Sequence, residues 1–181
     1  MIAKTKTEYH VTLAEAKRHL RGLDNEFNEE DEYLRDTIKA AVEMAEGEIG
    51  KDIATTTNVL TLNEFTGGEV KVNEGNLISI TSITDDGAAL SDFTTYVYRD
   101  YFRVELDTDV DSDQLVATFQ TGYDKGKLPF AIKHAILIKV GDLYDVERSS
   151  RIIGSIFADS GAFERYLAPF KSMVSTYNRE A

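Results

Sequence analysis

The 181-residue chain has no cysteine and no tryptophan, two prolines, and no long apolar run. Without cysteine there can be no disulfide and no thiolate metal site, so the fold has to rest on its own core. A chain of this length can build one, burying roughly 70% of the surface its unfolded form exposes. The longest apolar run, Ala135 to Ile138, is far too short to cross a bilayer, so no membrane partner is expected. The opening Met-Ile-Ala-Lys-Thr-Lys also lacks the apolar stretch of a signal peptide, and synthesis and retention in a cytoplasm are expected. Basic residues are scarce as well: 20 Lys and Arg stand against 32 Asp and Glu, a net charge of -12. Tight binding to a polyanion rests on Lys and Arg neutralising phosphates, so a protein that grips nucleic acid is excluded.

What is present divides the chain into two helical blocks around a strand-rich one. Thr12-Leu-Ala-Glu15 has the capping-box pattern and predicts a short helix from Leu13 to about Arg21, ended by Gly22. Asn28 is placed to cap a second helix whose first turn carries Glu29 to Glu32. Leu34, Ile38, Ala41, Val42, Ala45 and Ile49 then recur at helical spacing up to Gly50. From Thr55 the period changes to two and Thr, Val, Ile and Tyr dominate. Six short strands are predicted: Val59 to Phe65, Glu69 to Val72, Leu77 to Thr84, Thr94 to Arg99, Phe102 to Leu106 and Gln114 to Thr121. Gly67-Gly68 is read as a hairpin turn between the first two. Pro129 opens a third helix with the stripe Ile132, Ala135, Ile136, Val140 and Leu143, and a last helix is expected from about Ser160, with Pro169 kinking it or opening a further turn. The expected fold class is α+β, a bundle of about four helices with a central antiparallel sheet insertion. Residues 1–54 and 128–181 supply the helices and 55–122 the insertion, all in one domain.

Few constellations carry chemistry. Asp107, Asp109, Asp111 and Asp113 alternate as calcium ligands can, but Ser112 and Thr118 stand where a calcium loop needs Gly and Glu, so a solvated acidic loop is expected instead. His10, His19 and His134 have no second ligand at zinc-site spacing, and His134 is read as a flank or interface side chain beside the apolar stripe. No nucleophile elbow or phosphate loop is present, so neither an enzyme nor a bound cofactor is expected. Tyr96, Tyr98, Tyr101, Phe102 and Phe119 could stack on a flat ligand, which leaves a monomeric ligand- or carbohydrate-binding module as the rival reading.

The order of motifs is more specific than any one of them. The run Gln120 to Glu147, with its Thr-Gly-Tyr turn, its helix opened by Pro129 and its Leu-Tyr-Asp-Val-Glu end, resembles the head-tail connector (adaptor) proteins of tailed bacteriophages. Val11 to Arg21 resembles their leading helix and Asp31 to Ile53 their long second helix. Leu77 to Gly87 is similar to the strand and Asp-Gly turn of longer members with a sheet insertion, and Phe163 to Lys171 is similar to their closing Leu-x-Pro-Tyr-Arg. The chain departs from the pattern where Asp145-Val-Glu separates the helix-end Tyr144 from Arg148, and in the short loop before Pro129. The resemblance implies a virion protein at the head-tail interface, a homo-oligomeric ring of about a dozen copies joined by heterologous contacts. Its partners would be the portal protein above and a neck or tail protein below, and double-stranded DNA would pass through without being specifically bound. Residues left over after the core is filled are the candidate contacts: Arg148, Arg151, Ile152, Ile153, Ile156 and Phe157 in an arm, and Tyr166, Phe170, Met173, Val174 and Tyr177 near the C-terminus.

Overall fold

Alternating apolar residues from Thr55 onward make strands, and the helical stripes on either side make helices. A computed structural model of the protein describes residues 1–20, 29–148 and 161–172. Six strands and four helices follow in the order β1 (Ile2–Glu8), α1 (Leu13–His19), α2 (Asp31–Ile49), β2 (Thr55–Val72), β3 (Leu77–Asp85), β4 (Ala88–Leu90), β5 (Phe93–Val97), β6 (Phe102–Thr121), α3 (Phe130–Arg148) and α4 (Ala162–Leu167), the last running into a 3-10 turn, Ala168–Phe170. The fold is α+β with one antiparallel sheet. The chain forms two compact units: a β unit containing Met1–Glu8 and Gly50–Lys125, and a helical unit of Tyr9–Ile49 and Gly126–Lys171.

In the helical unit the local signals act as their chemistry requires. The Thr12 hydroxyl accepts from the Glu15 backbone N–H, and the Glu15 carboxylate accepts from the Thr12 N–H, so two otherwise orphaned donors at the start of α1 are satisfied. Along α2, Leu34, Ile38, Ala41, Val42, Ala45 and Ile49 are buried, and Gly50 leaves the helix with φ +70°. Ile132, Ala135, Ile136 and Val140 bury the matching stripe of α3, which packs against α1, α2 and α4. At roughly 1.5–3 kcal/mol for each large buried side chain, these stripes are the main stabilising term of the unit. α1 ends at His19 with Leu20 as its C-cap, short of the expected Arg21 and Gly22, and α2 begins only at Asp31, three residues after the expected cap Asn28; Gly22 and Asn28 themselves lie outside the described residues. The last helix starts at Ala162, two residues later than expected, after Gly161 in the left-handed region, and Pro169 sits in the 3-10 turn.

The β unit departs from the sequence reading at the ends of its strands. Six strands were expected and six exist, but they are not the same six. Gly67-Gly68 does not close a hairpin: β2 runs through it as one 18-residue strand. The segment Asp107–Asp113 is likewise no loop but the middle of the 20-residue β6, paired with β2 from Thr56↔Thr121 to Val72↔Phe102. Between Gly67↔Val110 and Glu69↔Glu105 the register slips, so that Gly68 alone faces Leu106 to Asp109. Such a bulge bends the ribbon, and a Cβ on Gly68 would come within 2.5 Å of the Asp109 carboxylate. Beyond the bend, the two halves of the ribbon bury residues in one core: Phe102, Val104 and Leu106 with Leu115, Ala117 and Phe119, the Phe102 and Phe119 rings meeting edge to face at 5.0 Å. β1 pairs with β2, β3 with β6, and the short β4 with β3, giving the order β1-β2-β6-β3-β4, while β5 pairs with the far end of β6. Neither β1 nor β4 was foreseen.

Candidate partner-contact surfaces

Charged residues inside the β unit are held by partners at the base of its sheet. Lys51 and Asp52, directly after Gly50, are both about 6% exposed. The Lys4 ammonium donates to both oxygens of Asp52, at 3.0 and 3.2 Å, and to Glu74 at 2.9 Å, while Thr121 donates its hydroxyl to Asp52 and receives the Asn58 amide. Lys51 forms an ion pair with Asp100 at 2.6 Å and donates to the Arg99 carbonyl. Buried charges this fully engaged fix geometry more than they add stability, because the desolvation of each ion offsets much of the attraction.

The same region ties the two ends of the segment 53–123 together. The Gly122 N–H donates to the Asn76 carbonyl, the Tyr123 N–H to that of Ile53, and the Thr55 hydroxyl to that of Tyr123. Gly122 has φ +99°, and a Cβ there would lie 2.1 Å from the Ala54 carbonyl oxygen. Only glycine fits that crossing. Burial raises the pKa of the Tyr123 phenol, with a hydrogen bond to Asn76 opposing. The Gly-Tyr turn of the sequence motif is thus a joint held mainly by backbone hydrogen bonds.

The aromatic residues of the strand block separate into core and surface. Phe102 and Phe119 are buried against each other and cannot receive a ligand. Tyr98 stacks on Tyr101 at 4.4 Å, Lys71 covers Tyr101, and Arg103 covers Tyr96, each cation 4.6 Å from the ring centroid. Faces a flat ligand would use are therefore partly covered by the protein's own side chains. Asp107, Asp109, Asp111 and Asp113 are all exposed along β6, and among the described residues no three His, Cys, Asp or Glu side chains gather as a metal site. Nor is any described helix long and apolar enough to cross a membrane.

Among the described residues, the most exposed aromatic side chain, Phe130, lies in the helical unit. His134 lies on α3, off the buried stripe, with the Phe130 ring stacked on it at 5.9 Å and 8°, the Tyr166 edge at 5.0 Å and His19 at 6.3 Å. Phe130 is 80% exposed and Tyr166 41%. Together these rings form an exposed aromatic patch on the helical unit. Nearby, Lys133 donates to Glu15 at 2.9 Å, linking α3 to the capping box. Slight burial opposes ionisation of Glu15, but the hydrogen bonds from Thr12 and Lys133 outweigh it and hold the pKa below its ordinary 4.5.

Of the candidate contacts read from sequence, the structure brings Tyr166 into this patch. Phe170, in the 3-10 turn, is half-buried. Arg148 is the last residue of α3. Arg151, Ile152, Ile153, Ile156, Phe157, Met173, Val174 and Tyr177 lie outside the described residues. Phe130 was missed, although its i, i+4 spacing from His134, off the stripe Ile132, Ala135, Ile136, Val140, marks a second aromatic face on α3.

No protein-family model matches the chain, and no curated protein matches it. Its fold does have counterparts among solved structures. A chain of the virion of a native gene transfer agent particle superposes with a TM-score of 0.73 at 16% identity, covering 99% of both chains. A chain from the neck of an empty particle of this kind, computed with C6 symmetry, gives 0.74 at 16%, and one from a native neck computed with C12 symmetry gives 0.70 at 14%, each again over 99% of both chains. The fold therefore recurs, end to end, in chains of gene transfer agent particles, two of them from the neck, at only 14–16% identity.

Proposed function

We propose that this protein is a structural component of the neck of a tailed-phage-like particle, a head-tail connector. In this reading copies form a ring beneath the portal, extend the DNA channel and offer a platform for the next neck or tail protein. The observation that carries it is the end-to-end likeness to particle-neck chains, helices and β insertion included. The motif order from Val11 to Lys171 supports the same reading independently, because it was legible without the fold.

The surface chemistry agrees. A channel that lets DNA slide must not trap it, and a chain with net charge -12 avoids the phosphate contacts that would do so. Ring contacts join different faces of each copy, and the Phe130, His134 and Tyr166 patch supplies one apolar face of the right kind. The protein would then be made in the bacterial host cytoplasm and end in the virion, with a structural rather than enzymatic role. The test is electron microscopy of the purified chain mixed with portal rings from the same particle. An added ring of density is expected, and its absence would sink the proposal. The rival ligand-binding reading loses Phe102 and Phe119 to the core; a monomer that bound glycans and ignored portal would restore it.

A further inference from the structure

We infer that β1 is an exchangeable strand: in the ring each copy lays its β1 on β2 of the next copy, and the pairing within one chain is the form of the free subunit. This rests on the ring reading above and gives it a specific joint.

The attachment of β1 is transferable. Ile2 packs against the apolar core, the Lys4 ammonium sits between the carboxylates of Asp52 and Glu74, and the Thr7 hydroxyl donates to the Thr55 carbonyl. The backbone pairs from Ile2↔Leu60 to Glu8↔Thr55 complete the set. All these partners belong to the β unit, so a β1 arriving from another copy meets the same acceptors and needs no new contact.

The socket also selects what fills it. Asp52 and Glu74 are about 6% and 5% exposed, and carboxylates buried this deeply are strongly destabilising without their cation. Lys4 stands opposite Asn58, and a slip of one residue would turn its ammonium to the other face of the sheet. A strand that fits must carry a lysine there and an apolar residue two places before it. The β1 of every copy is such a strand.

The connector decides whose β1 it is. Residues 9–12 alone join β1 to α1. The far end of this connector is fixed, since Val11 is buried and Thr12 is held in the capping box. The change of direction therefore falls on what precedes: the register slips between Lys6 and Glu8, and His10 takes φ +61°, a left-handed conformation that costs a residue bearing a Cβ. A short hinge under strain favours passing an identical element to a neighbour, because opening releases the strain while every contact is remade. Passing β1 in one direction from copy to copy is a heterologous exchange, the kind that closes a ring.

The chain has no cysteine, so engineered thiols report the pairing without background. Met1 and Thr61 exchange backbone hydrogen bonds, which makes Ile2 and Leu60 the adjacent, closely spaced pair. I2C chains mixed with L60C chains are added to portal rings, oxidised and separated without reductant. A disulfide-linked two-chain band is expected, absent from the same mixture without portal and from either variant alone. The double variant I2C/L60C should close within one chain when free and link chain to chain on portal. A3C with V59C, on the opposite face of the same strands, is the second pair should L60C not fold. Two glycines inserted after His10 relax the connector and should return the double variant to closure within one chain; chain-to-chain linkage undiminished by them would overturn the connector as its cause. If rings form but the mixture gives no two-chain band and the double variant closes within one chain, the exchange is overturned while the neck reading stands. If wild type adds no ring, the neck reading fails and the exchange with it.

Discussion

The helical unit and the β unit keep their order by different means. In the helical unit, local features decide: a capping box, a stripe of apolar residues, a glycine at the helix end. In the β unit the decisive contacts are remote in sequence. Thr56 meets Thr121, Lys4 meets Glu74, and Phe102 meets Phe119 across the bend of one ribbon. The difference teaches that damage should spread differently. A fault in the β unit removes contacts that many residues share, while a fault on the helical surface leaves the fold intact and shows only in assembly.

The harshest break should come from Gly122→Ala. Both the +99° φ and the clash with Ala54 oppose it, so the variant is expected to be insoluble or to lose more than ~3 kcal/mol of stability in urea titration. A melt unchanged from wild type would show that the joint can relax. Next comes Phe119→Ala, fully buried in the ribbon core, with an expected loss of about 3–5 kcal/mol and a lowered denaturant midpoint.

A smaller effect is expected in the helical unit from Glu15→Ala, which removes half of the capping box and the partner of Lys133, at a cost of about 1 kcal/mol. The pH dependence has a definite sign. Because the folded pKa of Glu15 lies below its ordinary 4.5, its stabilising contribution is present above that value and is lost as the pH falls through the lower folded pKa. Acid melts of wild type and Glu15→Ala should therefore converge below pH 4.5, and a gap that stays constant would contradict the assignment. Least of all in stability, within about 0.5 kcal/mol, should be the change in Phe130→Ala. That variant is expected to melt like wild type yet bind portal rings more weakly; unchanged binding would remove the patch from the interface.

The same contrast explains what could be read in advance. Helices announce themselves within one or two turns, so Thr12 with Glu15, the stripe from Leu34 to Ile49, and Pro129 were enough to find α1, α2 and α3. The long strands were hidden by residues whose local habits were overruled. Gly67-Gly68 favours a turn but serves a bulge, and the alternating aspartates of 107–113 favour a solvated loop but occupy the exposed face of a strand. β1 gave no apolar alternation because Lys4 and Lys6 stand where strand signals look for apolar residues; its reason to exist is β2, far along the chain. Of the contact surface, Tyr166 was legible from leftover aromatic spacing. The grouping of Phe130 with His134 and Tyr166 was not, because it depends on how α4 lies against α3.

The backbone joint at Gly122 has a consequence for how such a chain can be altered. Its bonds set the start and the finish of a 70-residue excursion side by side, since Tyr123 is hydrogen-bonded to Ile53. A segment whose ends already touch can be lengthened, shortened or exchanged without forcing the flanking helices to span a new distance. The β segment is in this sense a cassette, fastened at its neck by one residue too small to replace, and β1 is the extra tie that any transplant would have to carry with it.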